Sequence, residues 1–142
     1  MDTSRVYIRM CDEAREIQKN WRPVHGDFFI GGRNKLRVWI DGINDPEKVV
    51  TGVEVEFQDG IPRITRYIWL PRLDQLIELA QEAHTRYERT TQAFLDWTKR
   101  DYGVLPGEPR KIFTSLEQTW LAFVMLRKHG KKWNGETWNP VA

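Results

Sequence analysis

The segment DFFIGGRNKLRVWID (27–41), followed by VEVEFQDGIPRITRYIW (53–69), decides the fold. Apolar residues alternate with polar ones here, the period of strands that bury one face. Phe28-Phe29-Ile30 reads as a short strand, and Gly31-Gly32-Arg33-Asn34 as a turn. Lys35 to Asp41 is a second strand, with Leu36, Val38 and Ile40 expected on the core face. After a loop from Gly42 to Pro46, Val49 to Phe57 forms a third strand. Val53, Val55 and Phe57 are expected inward and Glu54 and Glu56 outward. Gln58-Asp59-Gly60 contains the Asp-Gly pair favoured in tight hairpins, and Ile61 to Trp69 returns with Ile64 and Ile68 alternating. Four strands on short connections predict an antiparallel meander, a sheet that can keep one face in water.

Outside this region the period becomes helical. Thr3 or Ser4 can cap a helix over residues 4–20, with Val6, Met10, Ala14, Ile17 and Trp21 as its buried stripe. Pro71 opens a stretch of about 30 residues at helical spacing, and its stripe is Leu73, Leu76, Ile77, Ala80, Ala83, Tyr87, Phe94 and Leu95. Thr90-Thr91 weaken its middle, where a break is expected, and Gly103 ends it. Glu82 with Arg86, and Asp96 with Arg100, stand four residues apart as ion pairs. Residues 104–111, with Pro106, Gly107 and Pro109, read as a surface loop. Ser115 and Gln118 form a capping-box pattern before the most apolar helix, which His129-Gly130 closes. The expected fold is α+β: an N-terminal helix, a four-stranded antiparallel meander, then two or three helices packed on the sheet.

At 142 residues the chain fits a single domain, 1–142. Hydrophobic content of 40% and charged content of 30% exclude disorder, and the apolar runs are too short for a membrane span. The beginning Met1-Asp2-Thr3-Ser4-Arg5 has no secretory pattern, and Cys11 is the lone cysteine. These features predict a cytoplasmic protein. The net charge of +2 does not by itself imply nucleic acid, although residues 107–142 carry six Lys or Arg against three Glu. Seven Trp is the unusual feature. Trp fills cores, and it is also enriched at recognition surfaces.

Searches for chemistry along the chain end in ordinary structural readings. His25, His84 and His129 stand apart, without ligands at metal-site spacing. Gly31-Gly32 lacks the further glycines of a phosphate loop. Cys11 lies beside a buried helical stripe, where a thiol packs rather than reacts. Asp12 with Glu16, and Glu54 with Glu56, share solvent-facing surfaces. The leading reading is therefore a non-enzymatic protein with no cofactor and no metal, with an enzyme of scattered catalytic residues as a further alternative.

One constellation stands out. Lys35, Arg37 and Trp39 oppose Leu36, Val38 and Ile40 on their strand, and Arg63, Thr65, Tyr67 and Trp69 oppose Ile64 and Ile68. If helices cover the aliphatic face, Lys35, Arg37, Trp39, Arg63, Tyr67 and Trp69 present a basic aromatic face. Such a face suits an anionic, base-containing ligand, either a nucleotide signal or single-stranded nucleic acid. The alternative is that a helix or the C-terminal tail covers this face, making Trp39, Tyr67 and Trp69 core. A second candidate is Lys131, Lys132, Trp133 and Trp138, a basic Trp-rich segment for a protein partner, with the alternative that the tail folds back to pack its Trp. A homo-oligomer is compatible with either reading.

The stretches SLEQTWLAFVM (115–125) and GKKWNGETW (130–138), with WLPRLDQL (69–76) and the Trp21 and Gly26-Asp27-Phe28 region, resemble a family of short bacterial prophage proteins. Together they span about half of the chain. The resemblance implies a mobile-element context inside a bacterial host. Small proteins there bind host proteins, nucleic acid or defence signals, and no functional residue is carried over with it.

Overall fold

The computed structural model describes residues 1–44, 53–101 and 113–141. The chain divides into two compact units, Thr3–Arg72 and Leu73–Ala142 with Met1–Asp2. Both mix helices with antiparallel strands.

In Thr3–Arg72, Ser4 caps α1 (Arg5–Glu13) by accepting a hydrogen bond from the Tyr7 N–H. The helix expected over 4–20 is interrupted at Ala14, after which α2 (Arg15–Asn20) continues. Met10, Ala14, Ile17 and Trp21 are buried as the spacing predicts, but Val6 is exposed and Tyr7 takes its place. The cause is a hydrogen bond: the Tyr7 hydroxyl donates to the Pro71 carbonyl at 2.6 Å in a buried setting.

The strands are β1 (Phe28–Gly31), β2 (Lys35–Val38), β3 (Val53–Gln58), β4 (Ile61–Arg66) and β5 (Ile68–Leu70). They do not form the four-stranded meander. β1 is the centre of a three-stranded sheet, β2-β1-β5, and β3 and β4 form a separate two-stranded hairpin. Both partners of β1 are antiparallel, with Phe29 in register with Arg37 on one side and Trp69 on the other. The expected strand from Ile61 to Trp69 breaks at Tyr67, whose ring packs 5.5 Å from that of Phe29. That break lets the chain leave β3 and join β1. Asp59 and Gly60 both have positive φ, 53° and 76°, as a tight two-residue hairpin turn requires. The start of the expected third strand before Val53, most of the preceding loop, and the inward or outward aim of Val53 to Glu56 lie outside the described residues.

A single buried carboxylate ties the helical and strand segments of this unit together. Asp27 is almost fully buried and accepts hydrogen bonds from the Trp21 indole N–H at 2.9 Å and the Val24 N–H at 3.0 Å. Arg72 lies 3.6 Å from its other oxygen and donates to the Gly26 carbonyl. The Asp27 carbonyl in turn accepts from the Trp39 N–H at 2.7 Å. A charge so placed is stable only with its donors in place.

In the second unit the helices are α3 (Leu73–Ala80), α4 (Tyr87–Asp101) and α5 (Leu116–His129). The long helix breaks at residues 81–86 rather than at Thr90-Thr91. Thr90 is buried and its hydroxyl donates to the Gln81 side chain, so the residue expected to weaken the helix anchors the turn before it. Tyr87 and Leu95 leave the expected stripe for solvent, while Phe94 and Trp97 are buried. Phe94 stacks on Trp120 at 3.9 Å and meets Phe123 edge-on, which makes an aromatic core between α4 and α5. Ser115 caps α5 as expected, and the Gln118 side chain accepts from the Thr114 N–H. Gly130 closes α5 in the left-handed conformation. A short hairpin of β6 (Lys131–Trp133) and β7 (Trp138–Pro140) follows, its turn held by Asn134 accepting from Glu136 and Thr137. Glu82 pairs with Arg127, not Arg86, and Asp96 accepts from Gln92. The expected stop at Gly103 and the loop 104–111 lie outside the described residues.

Replacing Asp27 with Ala is expected to destabilise the protein by about 3–5 kcal/mol, because Arg72 and the Trp21 N–H lose a buried partner. Urea unfolding of the two proteins measures this, and a loss below about 1 kcal/mol would show the cluster to be peripheral.

Candidate functional site

The basic aromatic face is distributed differently from the expectation. Trp39 and Trp69 are only 3% and 7% exposed. Trp21 lies parallel to Trp69 at 5.9 Å and edge-on to Trp39 at 6.1 Å, and Phe29 closes the cluster. Trp21, at the end of α2, covers these rings within their own unit. Tyr67 is half-buried on Phe29. Lys35 and Arg37 are exposed, with Arg37 reaching only the Gly32 carbonyl at 3.5 Å. Arg63 sits in β4 in register with Glu56, and the aim of its side chain lies outside the described residues. The six residues therefore do not form one accessible face. Two of their rings are core, Tyr67 is half-buried, and two of their cations are surface.

The reversal has a plain cause. Alternation places Leu36, Val38 and Ile40 opposite Arg37 and Trp39, but does not say which side is covered. An aromatic ring removes more area from water than an aliphatic side chain does, and here four rings interlock. The aliphatic row loses the competition: Leu36, Val38 and Ile40 are 46%, 43% and 40% exposed. Ile43, just beyond, is 77% exposed.

The two outer strands of the sheet end differently. At β5, the Gln18 side chain behaves as a substitute strand: its Oε1 accepts from the Trp69 N–H at 2.8 Å and its Nε2 donates to the Trp69 carbonyl at 2.9 Å. That edge is closed. At β2, Trp39 directs its N–H to Asp27 on the β1 side, so alternate residues Leu36 and Val38 direct their backbone groups away from β1. Ile40 is capped, its N–H donating to Asn44 Oδ1 at 2.8 Å. Among the described residues, the open edge and the exposed aliphatic row share Leu36 and Val38.

At the C-terminal hairpin, Trp138 is buried and its ring lies 5.0 Å from that of the half-buried Trp133. Lys132 is exposed and Lys131 half-buried. The two Trp pack against each other within the hairpin. Among the described residues no group of three or more His, Cys, Asp or Glu is placed to hold a metal ion, and no helix is long and apolar enough to cross a membrane. Compared with known proteins, the chain matches no family model, no curated protein and no solved structure.

The sequence reading missed the Leu36–Val38–Ile40 surface, since it assigned that row to the core. It also missed the grouping of His84, Arg86 and Arg89 around one hollow. Three basic residues within six positions were the available signal, obscured by placing them inside a continuous helix.

Trp39→Ala is expected to cost about 3–5 kcal/mol of stability, as for a large core ring, while Arg37→Ala stays within about 0.5 kcal/mol. Chemical unfolding of both variants separates the cases. A Trp39→Ala protein as stable as the wild type would return that ring to the surface.

Proposed function

We propose that this chain is a non-enzymatic binding protein whose partner is another protein, taken up as an added strand on the free edge of β2. The observation that carries the reading is the coincidence of open backbone groups and exposed aliphatic side chains at Leu36 and Val38. An extended segment laid there gains main-chain hydrogen bonds from the edge and apolar contact from the row. Lys35 and Arg37, on the opposite side of the strand, select the occupant. A second β2 would set cations near cations, which disfavours pairing between copies. A segment with acidic residues alternating with Val, Ile or Leu complements both sides at once. Its acids would stand opposite Lys35 and Arg37, and its apolar residues opposite Leu36 and Val38.

Between the two partner classes expected from the sequence, this favours protein over a nucleotide or nucleic acid stacked on Trp39 and Trp69, because those rings are engaged in the core. The likeness to prophage proteins would make the partner a protein of the bacterial host.

A peptide of alternating valine and glutamate, titrated into isotope-labelled protein, is expected to shift the amide resonances of residues 35–40 at submillimolar concentration. Val38→Pro removes the outward N–H donor and is expected to abolish those shifts while the Trp39 indole signal keeps its buried position. Absence of shifts in the wild type, or equal shifts in the proline variant, would refute strand addition.

A further inference from the structure

We propose a second, separate binding site, for a small phosphate-bearing molecule, in the hollow lined by His84, Arg86 and Arg89. The hollow has a volume of about 370 Å³, within the range of small-molecule sites. Among the described residues its lining is His84, Arg86 and Arg89, which belong to the connection between α3 and α4 and the first turn of α4. All three lining residues are basic. Among the described residues, neither Arg86 nor Arg89 has an ion-pair partner.

Among the described residues, the acid just before the cluster in sequence is committed elsewhere. Glu82 is held by Arg127 at 3.2 Å, and Lys128 donates to the Gln81 carbonyl at 2.8 Å. Glu88, on the first turn of α4, is exposed and is not part of the lining. Like charges grouped in this way repel one another until an anion enters.

The connection that carries them is firmly mounted. Thr90 ties back to Gln81, Thr85 donates to the Glu82 carbonyl, and Arg89 donates to the Arg86 carbonyl. His84 is held at φ 66°, a left-handed conformation that costs a residue with a side chain roughly 1 kcal/mol. That conformation turns the chain between the two helices, and His84 lines the same hollow as the two Arg. A tetrahedral phosphate offers several terminal oxygens, which matches two planar guanidinium forks and a ring N–H better than a single carboxylate does.

The test is calorimetric titration of the full chain with inorganic phosphate, pyrophosphate and ATP, each at low and raised sodium chloride. Saturable binding of pyrophosphate at one site per chain, weakened by salt, is the expected result. Tighter binding of ATP would identify a nucleotide as the ligand, and equal binding would place all recognition on the phosphates. Arg86→Gln and Arg89→Gln are each expected to weaken binding about tenfold. Both side chains are exposed, so the variants should keep the wild-type melting temperature. As a measure independent of variants, pyrophosphate should shift the His84 ring and the Arg86 and Arg89 side-chain resonances of the wild type. No saturable binding of any of the three anions, or undiminished binding in the double variant, would overturn the site.

Discussion

Asp27 is a carboxylate removed from water, and that state persists only because three separate pieces of chain bring it donors. Trp21 comes from the end of α2, Val24 from the turn before β1, and Arg72 from the end of β5. Each donor's position is therefore constrained by the others. An isolated ionised carboxylate in such surroundings would cost many kcal/mol, so the cluster forms completely or not at all. The position of Trp21 follows directly, since its indole N–H must reach Asp27. Once there, its ring lies against Trp69 and Trp39.

The orientation of the sheet is a consequence. With Trp21, Phe29, Trp39 and Trp69 interlocked on one side, the pleat sends Leu36, Val38 and Ile40 to the other. On the same side lie Phe28, Ile30, Ile68 and Leu70, so both faces of the sheet are apolar near its centre. Burial differs along that second face. Ile30 and Leu70 are buried, whereas the β2 row stays open. Gln18 completes the asymmetry by closing the β5 edge with its side-chain amide. Among the described residues the sheet thus has one sealed edge and one unpaired edge.

The second unit uses a different device for a comparable end. Its core is a stack of Phe94, Trp97, Trp120 and Phe123, and the connection from α3 to α4 is fixed by side chains rather than by burial. Residues in such a connection can carry uncompensated charge, because the helices on either side supply the stability. The basic hollow and the open strand edge thus arise from unrelated physics.

Much of the local structure was legible from residue types and spacing. The Ser4 and Ser115 caps, the Asp59-Gly60 turn and the Gly130 stop depend on interactions within a few residues, which a linear string contains. The mixture of helices with antiparallel strands was equally readable, because period 2 and period 3.6 are properties of the string. Strand partners were not readable: joining β5 to β1 rather than continuing the meander depends on contacts between residues some forty positions apart. Which side of β2 meets the core was likewise a tertiary decision. Alternation defines two faces, and only the arrival of Trp21, drawn in by Asp27, chose between them.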